Sequence, residues 1–344
     1  MTGIAPLTSE RFFGTWHFDP WVFGACLAAL VAYLAGVRRV RRLGDPWPVL
    51  RVVAFVGLGL GVVVIATMSS LAVYSRVLLW PMALRVTLLL AIVPVGLGLG
   101  DPVGLVSAAL SPAGAARWQG MLRTWPVRVL TFPAVAPLLA VATQFTVFYT
   151  GYVGVALRHD AVMRLLELQL VVTGCLFALP LLGVEILPVW CTQPVRMTFA
   201  AIDGLLDAIP GLALMTSSSL VAGGYYGTVT RSWGPTRAWD QTIGGGLMLT
   251  VAEVVAVPFV AILFVAWIRE DATHAREVDA ALDVAEARRR ALTPVDQEPQ
   301  AERPWWEVDP GPLADRALRY GWKREAGNGV RDGDQAGPDP RNRE

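Results

Sequence analysis

Long apolar runs separated by short polar stretches fill the first 268 residues, and no two-residue alternation competes with them. A bilayer core takes about 20 mostly apolar residues per helix, because every backbone amide must be paired within its own segment. Seven runs meet that length, near residues 21–37, 52–68, 77–98, 129–149, 161–183, 197–220 and 245–268. The pattern predicts an all-α bundle of seven membrane-spanning helices. Pro81, Pro94, Pro180, Pro210 and Pro258 fall inside these runs and are expected as packing kinks, since neighbouring helices can re-satisfy the freed carbonyls. The run Gly57-Leu58-Gly59-Leu60-Gly61 offers a face on which two helix backbones can approach closely.

Composition sharpens this picture. Of the 344 residues, 54% are hydrophobic and 17% charged, with mean hydropathy +0.48, against about 25% charged in a typical soluble domain. Of the 57 charged residues, 30 lie in 269–344. The remaining body is too apolar for a soluble enzyme, a disulfide scaffold or a nucleic-acid binder. Arginine placement orients it. Arg38, Arg39, Arg41, Arg42, Arg51, Arg117, Arg123, Arg128 and Arg196 fall on one side together with the charged tail. That side is expected to be the cytoplasm of a plasma-membrane protein, with the amino terminus outside. The chain then divides into an outer segment (1–20), the membrane domain (21–268), a cytoplasmic helix rich in Ala, Glu and Arg (269–293) and a largely disordered tail (294–344). Trp305 and Trp306 form an apolar island in that tail, suited to docking on the body or the lipid interface. The start lacks the pattern of a cleavable signal, so the first helix is expected to direct its own insertion.

The usual catalytic signatures are missing. Lys323 is the only lysine, no phosphate-binding loop or serine elbow is present, and Cys26, Cys175 and Cys191 are scattered among apolar residues. Of the three histidines, His17 and His159 fall in different outer loops and His274 in the tail. The informative residues are charges inside the helices, which are costly in hydrocarbon and ordinarily face a partner in the bundle. They are Arg85, Glu167, Asp203, Asp207 and Glu253, with Arg164 one turn above Glu167. Arg85, Glu167, Asp207 and Glu253 fall at similar depth and are expected to gather into one buried ionic cluster. Such a cluster can staple helices, handle protons or ions, or receive a cationic partner. Met68, Met82, Met163, Met215 and Met248 offer thioethers suited to copper(I), or equally to filling a core. Asp240, Gln241, Gly244 and Gly245 open the last span and are expected to cap its first free amides at the outer mouth.

The order of several short motifs resembles the integral-membrane CtaG-type family of cytochrome c oxidase assembly factors. They are Asp19-Pro20, Tyr33-Leu34-Ala35-Gly36-Val37-Arg38-Arg39, Asp45-Pro46-Trp47-Pro48 with Arg51, Phe55 and Gly57, and Gly98-Leu99-Gly100-Asp101-Pro102. Thr173-Gly174-Cys175-Leu176-Phe177 with Pro180, Asp240-Gln241-Thr242-Ile243-Gly244-Gly245, and Trp305-Trp306-Glu307 before Asp309-Pro310 complete the series. The resemblance implies assembly or maturation of a haem–copper oxidase through contact with oxidase subunits or other assembly factors, without covalent chemistry. It also raises copper delivery. Family members carry histidine pairs four apart on the third and fifth helices and one histidine on the sixth, and a spacing of four shares one helical face. The matching positions here are Pro81 and Arg85, Met163 and Glu167, and Asp207. None is histidine, so the expectation is that Arg85's guanidinium takes a metal ion's place and no bound metal or cofactor is required. A methionine-based copper handler and a proton or solute transporter built on the acids stand as alternatives.

Overall fold

A computed structural model describes residues 4–130, 132, 134–182 and 193–292. The chain forms two compact units, Met1–Thr273 and His274–Glu344. The membrane spans belong to the first. The second is helical up to Leu292, and Trp305, Trp306 and the tail around them lie outside the described residues.

Among the described residues every regular element is helical. Six helices are long and apolar enough to cross a bilayer: α1 (Pro20–Arg42), α2 (Val49–Met68), α3 (Leu79–Ala109), α6 (Asp160–Leu182), α7 (Gln193–Thr216) and α8 (Arg237–Leu292). The fourth expected span has a different form. Its helix α4 (Val135–Tyr149) has 15 residues, about 22 Å at 1.5 Å per residue, short of the roughly 30 Å core. It crosses only together with α5 (Tyr152–Arg158), which leaves it at a 68° bend. The bend falls at Thr150-Gly151, where the Thr150 hydroxyl accepts from Tyr152 N at 3.1 Å and starts the second helix. A seven-pass bundle therefore counts α4 and α5 as one broken span.

Helix α3 is the axis of the unit: 61% of its apolar window is buried, against 11% for α1 and 17% for α8. Met82, Val86, Leu89 and Val93 pack there against Leu166 and Leu170 of α6 and Phe148 of α4. The glycine run of α2 works at one position. A Cβ on Gly96 of α3 would strike the backbone of Leu58 and Gly59, so the two helices cross in backbone contact. Both helices are wound as π-helix nearby, at Ala54–Gly61 and Leu88–Ile92. Helices α7 and α8 meet the same way, since a Cβ on Gly211 would lie 2.9 Å from Gly245 O.

Candidate functional site

Arg85 stands six residues into α3, on its inner face, and only 5% of it is exposed. Its Nη2 donates to Glu167 Oε1 of α6, and its Nη1 faces Met163 Sδ at 3.5 Å. Met163 and Glu167 are four apart, so both present to Arg85 from one face of α6. Glu167 is 8% exposed. Removing two charges from water is costly, and the pair offsets that cost only because each charge meets its partner directly. The match is incomplete, because Arg85 Nε is buried with no acceptor. Pro81 lies one turn before Arg85, among the first amides of α3, where no intrahelical hydrogen bond is lost to its missing N–H.

Above this pair opens a cavity of about 370 Å³ lined by Arg85, Met163, Glu167, Arg164, Asp19 and His17, among others. Two further ion pairs line it: Arg164 Nε to Asp19 Oδ2 at 2.8 Å, and Arg76 Nη2 to Asp160 Oδ1 at 2.9 Å. Asp19 also caps α1, accepting from Trp21 N at 2.9 Å and Val22 N at 3.3 Å. Burial raises the Asp19 carboxyl, but the Arg164 hydrogen bond, the two backbone amides and the Arg164 charge outweigh it and hold the group below its ordinary 3.8. His17 is tied in by its backbone, donating to Met68 O at 2.7 Å. His159 is an exposed cap at the end of α5. The Arg76–Asp160 pair was not anticipated from sequence, although both are isolated charges beside predicted span ends.

The four-residue cluster expected from depth is not one site. Asp207 stands on α7, which packs against α4, several turns along α3 from Arg85. It accepts from Gln144 Nε2 of α4 at 3.4 Å. With Asp203, one turn earlier, it lines a separate cavity of about 50 Å³ beside Pro94 and Gly174. Glu253 departs further. The face of α8 carrying Ala252 and Ala256 turns inward toward that cavity, so the next residue, about 100° around the helix, points outward. Glu253 is exposed beside Val254 and Val257.

The motif at the start of α8 also works differently from the expectation. Asp240 caps α3, not its own helix: its carboxylate accepts from Leu79 N and Trp80 N, both at 3.0 Å. Arg231 Nη2 approaches the same group at 3.4 Å. Gln241 closes the far end of α7. Its Nε2 donates to Leu214 O and Ser219 O, each at 3.1 Å, and its Oε1 accepts from Val221 N at 2.8 Å. Gly244 lies against Leu79 and Ala83 of α3, and Gly245 against α7. The start of α8 thus ties the first turn of α3 to the last turn of α7, using amides and carbonyls that helix ends leave free.

Among the described residues, no three His, Cys, Asp or Glu side chains gather as a metal site. Met82 and Met248 are fully buried in the apolar core, and Met163 is turned to Arg85. A permanent guanidinium beside a thioether does not fit a copper ion as cargo at this position.

Residues 31–270 match the model of the family described as the cytochrome c oxidase caa3 assembly factor, Caa3_CtaG. The chain belongs to this family. It is also 30% identical over 280 residues to an uncharacterised protein of Mycobacterium leprae, covering 77% of this chain and 41% of that one. Uncharacterised proteins of Mycobacterium bovis and Mycobacterium tuberculosis match at 30% over 296 residues, 81% of this chain and 43% of each. The chain thus spans about two-fifths of the length of these relatives. No solved structure matches. Some of the motifs that carried the resemblance to CtaG proteins, those holding Tyr33, Trp47, Arg51, Phe55, Gly100 and Asp101, meet at one corner of the bundle. Tyr33 OH donates to Gly100 O at 2.7 Å and accepts from Trp47 Nε1 at 3.3 Å, while its ring stacks on Phe55 at 3.9 Å. Arg51 lies over the Trp47 ring at 4.8 Å and pairs with Asp101 at 2.9 Å. Asp101 sits in the left-handed region (φ 48°) and caps Pro102–Ala109 through Gly104 N. This corner of the CtaG bundle is a packing joint, about four turns along α3 from Arg85.

Proposed function

We propose that this chain assists the assembly or maturation of a haem–copper oxidase in the plasma membrane by contact with oxidase subunits or other assembly factors, and that it does not carry copper at the Arg85 position. Membership of the oxidase assembly family supports the role. The observation that carries the contact reading is the Arg85–Glu167 pair: a fixed cation occupies the face on which copper would have to sit. The positive-inside pattern supports an outward-facing cavity and a cytoplasmic tail, and on that reading Asp19, His17 and Arg164 are open to an extracytoplasmic segment of a partner. Among the described residues no set suggests a covalent step, and the chain is proposed to work as a binding surface.

The test is deletion of the gene, followed by oxidase activity in isolated membranes under ample and limiting copper. Loss of activity that is restored by the wild-type chain and not by added copper is the expected result. Unchanged activity under both conditions overturns the assembly role, and full rescue by copper alone overturns the contact reading in favour of cargo transfer.

A further inference from the structure

Glu253 lies sixteen residues from Arg237, where α8 begins, and sixteen from Arg269, the first charge beyond the apolar run. Within that stretch the apolar run 245–268 begins eight residues before Glu253, about 12 Å at 1.5 Å per residue, so the carboxylate lies inside a core about 30 Å thick, within about a turn of its middle. It is exposed on the outside of the bundle, and no described residue of the chain pairs with it. A shallow groove of about 270 Å³ runs beside it between α7 and α8, floored by Ala200, Ala201, Gly204 and Ala256. Small residues admit a helix backbone at close range, and a lone carboxylate in hydrocarbon calls for a cation or donor at its own depth.

We propose that this groove receives a transmembrane helix of a partner protein that carries a lysine or arginine at mid-membrane depth. The inference rests on the reading of this chain as an assembly factor that works by contact, and names the surface and chemistry of that contact. Three other occupants fit less well. A second copy of this chain brings no suitable cation, because its Arg85 is enclosed against Glu167 and its other described cations lie at span ends or beyond them. Lipid headgroup amines stay at the interface, about 12 Å away or more. A soluble domain does not reach the midplane.

The test places a benzoyl-phenylalanine photocrosslinker at Val257, which lines the groove, in the full-length chain in native membranes, and maps the adducts by mass spectrometry. The expected adduct is an apolar segment with a lysine or arginine within about two helical turns of the attachment point. Glu253→Gln should lower its yield about tenfold while leaving the unfolding midpoint of the bundle in place. Glu253→Lys should abolish it, and reversing the partner's cation to glutamate should restore it. Adducts to lipid alone, to a second copy or to a segment without a basic residue overturn the proposal, as does a yield indifferent to Glu253→Gln. The two readings fail separately. Lipid-only adducts with oxidase activity lost on deletion remove the groove and keep the assembly role, whereas charge-dependent adducts with oxidase intact keep the groove and remove the role.

Discussion

Two glutamates in the same bundle have opposite surroundings. Glu167 lies between α6 and α3, buried and paired with Arg85, in the part of the unit where burial is deepest. Glu253 lies on α8, exposed at mid-membrane depth beside a groove of small residues and paired with nothing in the described chain. The same side chain is a completed interhelical staple in one place and an open valence in the other. An intramembrane charge therefore has to be read with its azimuth, because depth alone does not separate a charge that holds the bundle from one that meets something else.

The largest expected effect is on the staple. Arg85→Leu leaves Glu167 buried without its cation, a change that typically costs about 3–5 kcal/mol. Replacing Arg85 and Glu167 together by leucine should recover most of that loss, since no charge is then stranded. Reversible unfolding in mixed micelles, run on both variants, measures the difference. A single-variant cost below about 1 kcal/mol would mean that the pair behaves like a solvated one and would remove the contrast with Glu253.

Next is the tie at the start of α8. Asp240→Ala frees the Leu79 and Trp80 amides and removes Arg231's partner. Loss of a side-chain cap ordinarily costs about 1–2 kcal/mol, and the buried setting favours the upper end. Hydrogen exchange should localise the change to the first turn of α3. If the first turn of α8 loosens instead, the carboxylate caps its own helix and the inter-helix tie is refuted.

These two sites show how far the sequence could be read. The spans were legible because bilayer thickness imposes a length on apolar runs, and only the fourth needed correction, where fifteen helical residues are extended by a bent pair. The Arg85, Met163 and Glu167 faces were legible because a spacing of four fixes one side of a helix. Asp207 and Glu253 were misplaced, because depth follows from counting residues while azimuth depends on which helices are neighbours. Asp207 turned to Gln144 and Glu253 turned outward for that reason. The Asp240-Gln241 pair was recognisable as a capping signature, but a cap satisfies any nearby amide, and here the nearest free ones belong to α3 and to Val221.

A smaller effect is expected at the cavity rim. Asp19 holds its proton less tightly in the folded chain than its ordinary 3.8, because Arg164 and two backbone amides favour the carboxylate over the opposing effect of burial. A lowered folded value means that the stabilisation is fully present above the ordinary value and is lost as the pH falls through the folded one. Thermal unfolding followed downward from about pH 5 should therefore show a steeper loss for the wild type than for Asp19→Asn. Identical slopes would show that Asp19 carries no net stabilising charge interaction, leaving the α1–α6 contact to packing.

The smallest expected effect closes the comparison. Glu253→Gln touches a side chain with no partner in the described bundle, so the unfolding free energy should move by no more than about 0.5 kcal/mol. Glu253→Leu should leave the isolated bundle unchanged or more stable, since a carboxylate facing hydrocarbon is itself unfavourable. Measured beside Arg85→Leu in the same micelles, the pair of results distinguishes a charge that serves the fold from one that the fold merely tolerates. A loss of several kcal/mol at Glu253 would place a partner for it inside this chain, and the outward-facing acid would become a second staple rather than a surface.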